Sequence, residues 1–323
     1  MKKPATALAP LVPRELFRRH LGRSLGGIVP VWIGIVATWW LAGTVGTWYA
    51  LLIAVVLVGT LQYHLNVMGH DGLHFLLCDS RRVNDLLCRW TLHGPHGAPL
   101  GQMRSNHLNH HTQFGSASDL DRQYYDTSRF AGDVPFLRWL AASILGGMTV
   151  PIMAKLLGLR RARGQPAQPT GPQPTGRLAD LMSVLLSQVW IAAATGLLTG
   201  WWWAYLPLWL LPMLTVMVGL NSIRSCLEHA QPGQDAPALS SFVSNRVESF
   251  FLSPFNMNVH AEHHLIPAVP WHALPALRQH LQAQGLYGGV TLYKTYAVRY
   301  RQVARELRAR QTTAAPEPRS TRR

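Results

Sequence analysis

The chain has 323 residues, of which 48% are hydrophobic, and a formal net charge of +15 at pH 7. So much positive charge would suit a nucleic-acid-binding protein, but no Lys, Arg, Asp or Glu occurs in residues 24–69 or 181–223. These two long uncharged stretches, together with the lack of a motif that interleaves aromatic and basic residues, argue against nucleic acid and for a membrane protein.

Each uncharged stretch has room for two helices across a bilayer core, which needs about 20 residues per crossing. They predict spans at 28–42, 47–67, 181–198 and 201–220, joined as two hairpins. Glycines and tryptophans between the paired spans indicate short turns with aromatic rings at the membrane interface. The predicted fold is an all-α integral membrane protein, one domain over 1–323, with four transmembrane helices.

The Lys and Arg residues predict the orientation of these spans. Six precede the first hairpin, twelve lie between the hairpins and twelve follow the second, which accounts for every Lys and Arg. The positive-inside rule therefore places both termini and the middle loop in the cytoplasm. We expect a multi-pass protein of a bacterial inner membrane, or of the endoplasmic reticulum if the chain is eukaryotic.

Four further segments carry predictions of their own. Residues 1–27 are expected to be cytoplasmic, without the pattern of a signal peptide. The apolar segment 139–154 is too short to cross and is expected to lie along the membrane interface. Residues 160–176, rich in Pro and Gln, predict a flexible loop, and 312–323 a disordered tail. Residues 290–310 predict a surface helix whose arginines face water or lipid headgroups, namely Arg299, Arg301, Arg305 and Arg308.

Three short windows hold eight of the fifteen histidines. Residues three and four apart share one face of a helix, so these spacings present rows of ring nitrogens to one side. Neutral imidazole is the commonest protein metal ligand. The eight residues are His70, His74, His107, His110, His111, His260, His263 and His264.

Other kinds of metal site are excluded by pattern. The three cysteines form no C-x-x-C pair, and neither H-E-x-x-H nor E-x-x-H occurs. Eight or more imidazoles exceed what one metal accepts, so two metals are predicted. Ligation mainly by neutral nitrogen suits iron, and copper or zinc less well. A redox-active pair beside a bilayer suits oxygen chemistry on a long apolar substrate.

At this point the sequence resembles a known family, the membrane fatty acid desaturases and hydroxylases, which have three histidine boxes. The most specific stretch is 258–275, NVHAEHHLIPAVPWHALP, and residues 103–111, MRSNHLNHH, are similar to the second box with its preceding arginine. The family adds a ligand about thirty residues before the third box, which makes His229 the ninth candidate.

The resemblance implies that the four helices form a stem beneath a cytoplasmic helical cap, which carries the histidine-rich dimetal site. It also implies two irons, O₂ as co-substrate, a lipid or acyl substrate, and electrons from an external carrier such as ferredoxin or cytochrome b5 with its reductase. It names no catalytic residue beyond the metal ligands. Asp119 and Asp121 resemble an acidic family element that orients ligating imidazoles, and Arg104 and Asn258 are expected to support the site. Asp71, Glu228 and Glu262 neighbour ligands and are candidates for the same role.

Several alternatives stay open. A hydroxylase or ketolase of the same architecture accounts for the boxes as well as a desaturase does. A membrane metal transporter or storage protein is disfavoured, because transporters place polar residues near the middle of the membrane, whereas these spans contain no acidic or basic residue apart from His64 near one end. We expect His64 to be buried and hydrogen-bonded, and His93 and His96 to be loop residues. His20, His272 and His280 are expected at the surface or in packing.

Overall fold

The protein is described here by a computed structural model that covers residues 8–116, 118–122, 136–147, 149, 176–230 and 239–313. These residues are mostly helical, with one pair of short strands. In chain order the elements are α1 (Leu21–Val45), α2 (Trp48–Leu73), α3 (Arg81–Leu87), α4 (Leu100–Gln113), α5 (Phe136–Ala142), α6 (Arg177–Thr199), α7 (Leu206–His229), β1 (Leu239–Phe242), α8 (Arg246–Phe251), α9 (His260–Leu265), α10 (Leu274–Ala283), β2 (Val290–Tyr293) and α11 (Tyr296–Thr313).

Four of these helices, α1, α2, α6 and α7, are long and apolar enough to cross a membrane. The predicted number of spans is therefore confirmed, but the helices are longer than predicted. The first begins at Leu21, where the sequence analysis expected a cytoplasmic segment up to residue 27. The second and fourth continue past their apolar parts to Leu73 and His229, so each carries candidate ligands on its C-terminal turns.

Glycines end the first helix of each hairpin. Gly46 and Gly200 cap α1 and α6 in the left-handed conformation, with φ of 64° and 74°. Only glycine adopts this conformation without steric cost, so the chain can turn back within a few residues after each of the two helices. A Cβ on Gly43 would lie 2.5 Å from the Cα of Thr199, which shows that the two hairpins touch backbone to backbone near these turns.

Within the bundle, side chains of neighbouring helices donate hydrogen bonds to backbone carbonyls in the irregular part of α7. Residues Leu206–Leu210 and Met213–Met217 are π-helical, and Pro212 between them lacks an N–H. The indole of Trp39 donates to the Leu208 carbonyl at 3.1 Å, and the amide of Gln62 donates to the Trp209 carbonyl at 3.0 Å. Such donors are needed because hydrocarbon offers no water to an open carbonyl.

The segment that follows α3 packs against three of the long helices. The Trp32 indole donates to the Thr91 carbonyl, and the Trp209 indole and Gln188 amide both donate to the Pro95 carbonyl. Asp180, near the start of α6, accepts from Arg89 Nε and from the Gly101 N–H, each at 2.7 Å. This buried carboxylate thus joins α6 to the first turn of α4, the helix that carries the second histidine cluster.

The prediction of one surface helix over 290–310 is wrong. Val290–Tyr293 forms β2, which pairs in parallel with β1, and the helix begins only at Tyr296. Arg299 is 0% exposed: its guanidinium donates to the Tyr293 hydroxyl at 2.8 Å and to the Ala230 carbonyl at 2.7 Å. The carbonyls at the end of α7 have no partner within the helix, and Arg299 caps one of them.

The remaining segments are described in part. In 139–154 the structure has α5 and a π-turn, Ser143–Gly147, which packs on α7 at Gly219, where a Cβ would lie 2.7 Å from the Ile144 Cα. The helical path is interrupted at Gly146, which has a φ of 100°. Residues 148 and 150–154 of this segment lie outside the described residues, so its position along the membrane interface stays a prediction. The expected flexible loop at 160–176 and the expected tail at 312–323 lie outside the described residues, except for Gly176 and the last two residues of α11.

Candidate dimetal centre

The three histidine clusters and His229 meet where α2 and α7 end. His70 lies on the last turn of α2 and His74 caps it, while His229 is the last residue of α7. The second cluster comes from α4 and the third from the short helix α9. All nine predicted ligand histidines are thereby brought together, although they stand up to 194 positions apart between His70 and His264.

Five of the nine form one group, with a ring nitrogen of each within 4.8 Å of those of the others. His107 Nε2 lies 2.9 Å from His74 Nε2 and 3.1 Å from His111 Nε2. His263 Nε2 lies 3.2 Å from His111 Nε2. We call this the five-histidine group: His70, His74, His107, His111 and His263.

The other four form a second group beside the first. Its Nε2 atoms are 3.0 Å apart for His260 and His229, 3.0 Å for His264 and His260, and 3.2 Å for His110 and His229. The stacked rings of His111 and His264 join the two groups, with centroids 4.3 Å apart. We call this the four-histidine group: His110, His229, His260 and His264.

The hydrogen bonds made by Nδ1, the ring nitrogen that points away from the neighbouring histidines, show that this arrangement suits cations. His229 Nδ1 lies 2.8 Å from the Ser225 carbonyl, which can only accept, so Nδ1 carries the proton and Nε2 presents a lone pair. His110 Nδ1 lies 2.9 Å from the Asp119 carboxylate, which can only accept, so the neutral ring of His110 also presents a lone pair on Nε2. These two lone pairs face each other at 3.2 Å, an arrangement that a cation between them would stabilise. Two ligands about 2.1 Å from one metal and at right angles are about 3 Å apart, close to the separations here.

Burial favours the neutral form of six of these imidazoles. It lowers the pKa of His74, His111, His260, His263 and His264 well below the usual value of 6.5, and neighbouring histidines lower each further. The pKa of His107 is lowered less far, because the Asp121 carboxylate opposes the effect of burial. A neutral imidazole has the free lone pair that a metal requires, so the site is ready to bind cations at neutral pH.

The two predicted aspartates differ in their contacts. Asp119 is buried and lies within hydrogen-bonding distance of His110 Nδ1 through both oxygens, at 2.9 and 3.1 Å. Asp121 is part-exposed, and its carboxylate is 3.8 Å from His107 Nδ1. The backbone N–H of Asp121 donates to Asp119 Oδ1 at 2.9 Å and so helps to hold Asp119 in place.

Arg104 links the first two clusters without touching a histidine nitrogen. It projects from α4 and donates to the Gly72 and Leu73 carbonyls at the end of α2, each at 3.1 Å. Its charge is balanced by Asp85 at 2.7 Å, and its guanidinium lies over the Phe75 ring at 3.8 Å. A cation on the last carbonyls of a helix is favourable, so Arg104 fixes the end of α2 against the helix of the second cluster.

Asn258, Glu262 and Asp71 hold the third cluster in place through hydrogen bonds to residues other than the ligand histidines. Asn258 Nδ2 donates to the Phe242 carbonyl of β1 at 2.9 Å. The Glu262 carboxylate is shared by Arg278, Ser241 and Tyr287. Asp71 accepts from the Trp271 N–H at 2.8 Å, and its carboxylate is 3.9 Å from His70 Nδ1. Their contacts are therefore with the frame around the histidines, which the sequence analysis did not foresee for Glu262 and Asp71.

The sequence analysis also missed two charged residues near the site, the half-buried Asp85 and the buried Arg224. Asp85 forms an ion pair with Arg104. Arg224 forms an ion pair at 3.1 Å with Glu228, which lies one turn later on α7. The second pair had a signal, because opposite charges four residues apart at the end of an otherwise uncharged span are neighbours on a helix. The first had none, since nothing in the sequence relates Asp85 to a residue 19 positions later.

The remaining histidines lie outside both groups. His64 is buried with Nε2 2.8 Å from the Phe250 carbonyl, as expected, and His93 Nε2 lies 3.1 Å from the Gly69 carbonyl. His93 and His96 belong to a turn, as predicted, but both sit inside the protein, with the His96 ring stacked on Trp209. His20, His272 and His280 lie at or near the surface, where the Arg23 guanidinium contacts His272 and the Leu11 carbonyl contacts His280.

Comparison with known proteins agrees with this geometry. A family model described as fatty acid desaturase matches residues 46–296. The sn-1 acyl-lipid omega-3 desaturase (ferredoxin) of Synechocystis sp. is 26% identical over 280 residues, covering 81% of this chain and 76% of that protein. The protein of the same description in Nostoc sp. is 23% identical over a similar share. The beta-carotene ketolase of Paracoccus sp. is 27% identical over 263 residues, covering 78% of this chain and 90% of the ketolase.

Proposed function

Since this chain belongs to the fatty acid desaturase family, we propose that it is an oxygen-dependent di-iron oxidoreductase that introduces a double bond into an acyl chain of a membrane lipid. The observation that carries this proposal is the convergence of nine buried or half-buried imidazoles in two adjoining groups. Two bound irons would supply the oxygen activation that protein side chains lack. The acyl substrate is supported by the printed names of the two cyanobacterial relatives.

The reaction needs a source of electrons. Removing two hydrogens from neighbouring carbons and reducing O₂ to two waters consumes two electrons and two protons from outside the substrate. We propose a ferredoxin-type donor, because both cyanobacterial relatives carry ferredoxin in their names. The formal charge of +15 favours an acidic carrier, and turnover should fall as salt rises, since screening is strong beyond about 8–10 Å at physiological ionic strength.

The side chains then divide into two roles. We propose that the nine histidines are the metal ligands. We also propose that Asp119 orients the His110 ring and raises its basicity, as carboxylates that accept a hydrogen bond from a ligating imidazole do at other metal sites. Arg104 and Asn258 position the ligand histidines without binding the metals. Arg104 holds the end of α2 against α4, and Asn258 holds the start of the third cluster against β1.

A second candidate is oxygen insertion, by a hydroxylase or ketolase acting on a larger apolar substrate. The observation that favours it is the length match, because this chain covers 90% of the beta-carotene ketolase but 76% of each omega-3 desaturase. Both reactions begin at an unactivated C–H bond, so the same metal site serves either.

The test is expression with a ferredoxin donor in a host of simple lipid profile that also makes β-carotene, followed by mass spectrometry of total lipids and pigments. Desaturation yields an acyl lipid lighter by two hydrogens, whereas oxygen insertion yields a product with an added hydroxyl or carbonyl oxygen. The matched control is His263→Ala, which should produce neither. A carotenoid product with unchanged acyl lipids would replace the first candidate with the second.

A further inference from the structure

The two histidine groups are unequal in donor number. The first supplies five imidazoles and the second four, although both lie in the same buried region. Two metals that work as a pair would then differ by one protein ligand. A carboxylate beside the four-histidine group removes this difference.

That carboxylate belongs to Glu228, the residue before His229. Its side chain is 0% exposed, and Oε2 lies 3.6 Å from His260 Nε2. Ligand atoms of Glu228, His229 and His260 are all within 4.8 Å of one another. Ligands that share one metal at about 2.1 Å are separated by about 3 to 4 Å, so Oε2 is at a suitable distance from His260 to share its metal.

The two oxygens of Glu228 have different surroundings. Oε1 accepts a hydrogen bond from the Tyr296 hydroxyl at 3.0 Å, which fixes the carboxyl group. Oε2 receives no hydrogen bond from the described residues. Arg224 Nη1 is 3.1 Å from Oε2 as an ion pair but lies outside hydrogen-bonding geometry. A buried oxygen without a donor is costly unless something else binds it.

Glu262 shows what a purely structural carboxylate looks like at this site. It too is fully buried and neighbours a candidate ligand, His263. Arg278 and Tyr287 contact its Oε1, and Ser241 contacts its Oε2, so neither oxygen lacks a partner. The contrast with Glu228 Oε2 is the observation that singles out Glu228.

We propose that Glu228 is a tenth ligand, which gives its Oε2 to the metal that His229 and His260 help to hold. This inference rests on the proposed function, because it presupposes two metals. The four-histidine group together with Glu228 would then offer four nitrogens and one oxygen, where the five-histidine group offers five nitrogens. A hard, anionic oxygen favours the ferric state of its iron over the ferrous state, so the two irons are electronically distinct.

The test compares purified, ⁵⁷Fe-loaded wild type with Glu228→Gln and Glu15→Gln by Mössbauer spectroscopy and by the rate of iron loss to a chelator. Gln keeps the size of Glu and removes the charge, and Glu15 is an exposed residue outside the site. Wild type should show two unlike iron signals. In Glu228→Gln one signal should shift and that iron should leave at least about tenfold faster, whereas Glu15→Gln should keep the wild-type signals. Wild-type signals in Glu228→Gln would overturn the assignment.

Two further outcomes are separated by design. If wild type itself holds fewer than two irons, the proposed function fails before Glu228 is tested. If Glu228→Gln does not fold, infrared spectra of ¹³C-glutamate-labelled wild type decide the question. Iron binding should shift a glutamate carboxylate band, and the shift should persist in Glu15→Gln. An unshifted band in wild type would refute ligation by Glu228.

Discussion

At the scale of single residues, the site depends on which nitrogen of each ring carries the proton. The Ser225 carbonyl keeps the proton of His229 on Nδ1, and Asp119 does the same for His110. Both rings therefore turn their lone pairs toward the same point. The hydrogen-bond acceptors at Nδ1 thus determine that Nε2 is the nitrogen available to a metal.

We predict that Asp119→Asn lowers iron affinity by about 10- to 100-fold, because the His110 ring loses the charged acceptor that orients it. Iron retained after dialysis against a graded chelator series measures this. Asp121→Asn is the matched control, since its carboxylate is 3.8 Å from His107 and part-exposed. Equal losses of iron affinity in both variants would show that the shorter distance between Asp119 and His110 does not strengthen iron binding.

A second prediction concerns His93, which lies outside both histidine groups. Burial lowers its pKa from 6.5 to about 4. Between these values the unfolded chain binds a proton that the folded chain does not, so the stabilisation is complete above pH 6.5 and is lost as the pH falls to about 4. The maximum effect is about 3 kcal/mol at 1.36 kcal/mol per pKa unit.

The measurement for His93 is the melting temperature of metal-free protein in detergent between pH 7 and pH 4. His93→Gln keeps a donor for the Gly69 carbonyl but does not titrate, so its melting temperature should fall less steeply than that of wild type. Parallel pH curves for the two proteins would show that His93 contributes nothing to the pH dependence.

Local spacing revealed eight of the nine candidate ligands, and only the resemblance to the family added His229. The sequence could not predict how the nine divide, since His110 and His111 are adjacent on α4 and yet belong to different groups. The burial of Arg299 was missed for a similar reason. Its partners Tyr293 and Ala230 meet it only in the folded chain, so its position on a polar helix wrongly indicated a surface residue.

At the scale of elements, hydropathy located the four spans because long stretches without a charged side chain are typical of helices that cross a membrane. It misplaced their ends, since α2 and α7 continue as helices through polar residues that pack against the histidine site. Strand β2 was missed because it has only four residues and pairs with a strand about fifty positions earlier. Short strands fixed by a distant partner leave little signal in the local sequence.

Glycines at helix crossings give a prediction for the bundle. A Cβ on Gly59 would lie 2.5 Å from the Val216 Cβ and 2.9 Å from the Pro212 carbonyl oxygen, which joins α2 closely to α7. We expect Gly59→Ala to destabilise the protein by about 1–3 kcal/mol through overpacking. Gly26→Ala is the control, because nothing lies within 4 Å of its Cβ and the helix gains in propensity. Thermal melting in one detergent compares them, and equal melting temperatures would argue against a close crossing.

At the scale of the whole molecule, we propose that the histidine site and both termini face the cytoplasm, because neither hairpin turn contains Lys or Arg. Single cysteines introduced for Thr44 and Gln284, both exposed, test this orientation. The three native cysteines are buried and should give little background. An impermeant reagent applied to intact cells should label Thr44→Cys and leave Gln284→Cys unlabelled until the membrane is opened. Labelling of Gln284→Cys from outside would reverse the proposed orientation.

The whole-molecule arrangement explains why the site is divided over the chain. The ends of α2 and α7 supply His70, His74 and His229 from inside the bundle, and α4 and α9 supply the other six from outside it. Asp180 and Arg104 join these parts, through α6 and α2 respectively. The bundle therefore fixes the geometry of the metal site, and movement of either hairpin would change it.

The most direct test of the account is the number of irons in the purified chain. We predict two per chain in wild type, and about one in each of His74→Ala and His264→Ala, because each substitution removes a ligand from a different group. Elemental analysis alongside protein quantification gives these numbers, and each variant must remain folded in the membrane fraction. One iron per wild-type chain, or loss of both irons from one variant and none from the other, would contradict two separate groups of ligands.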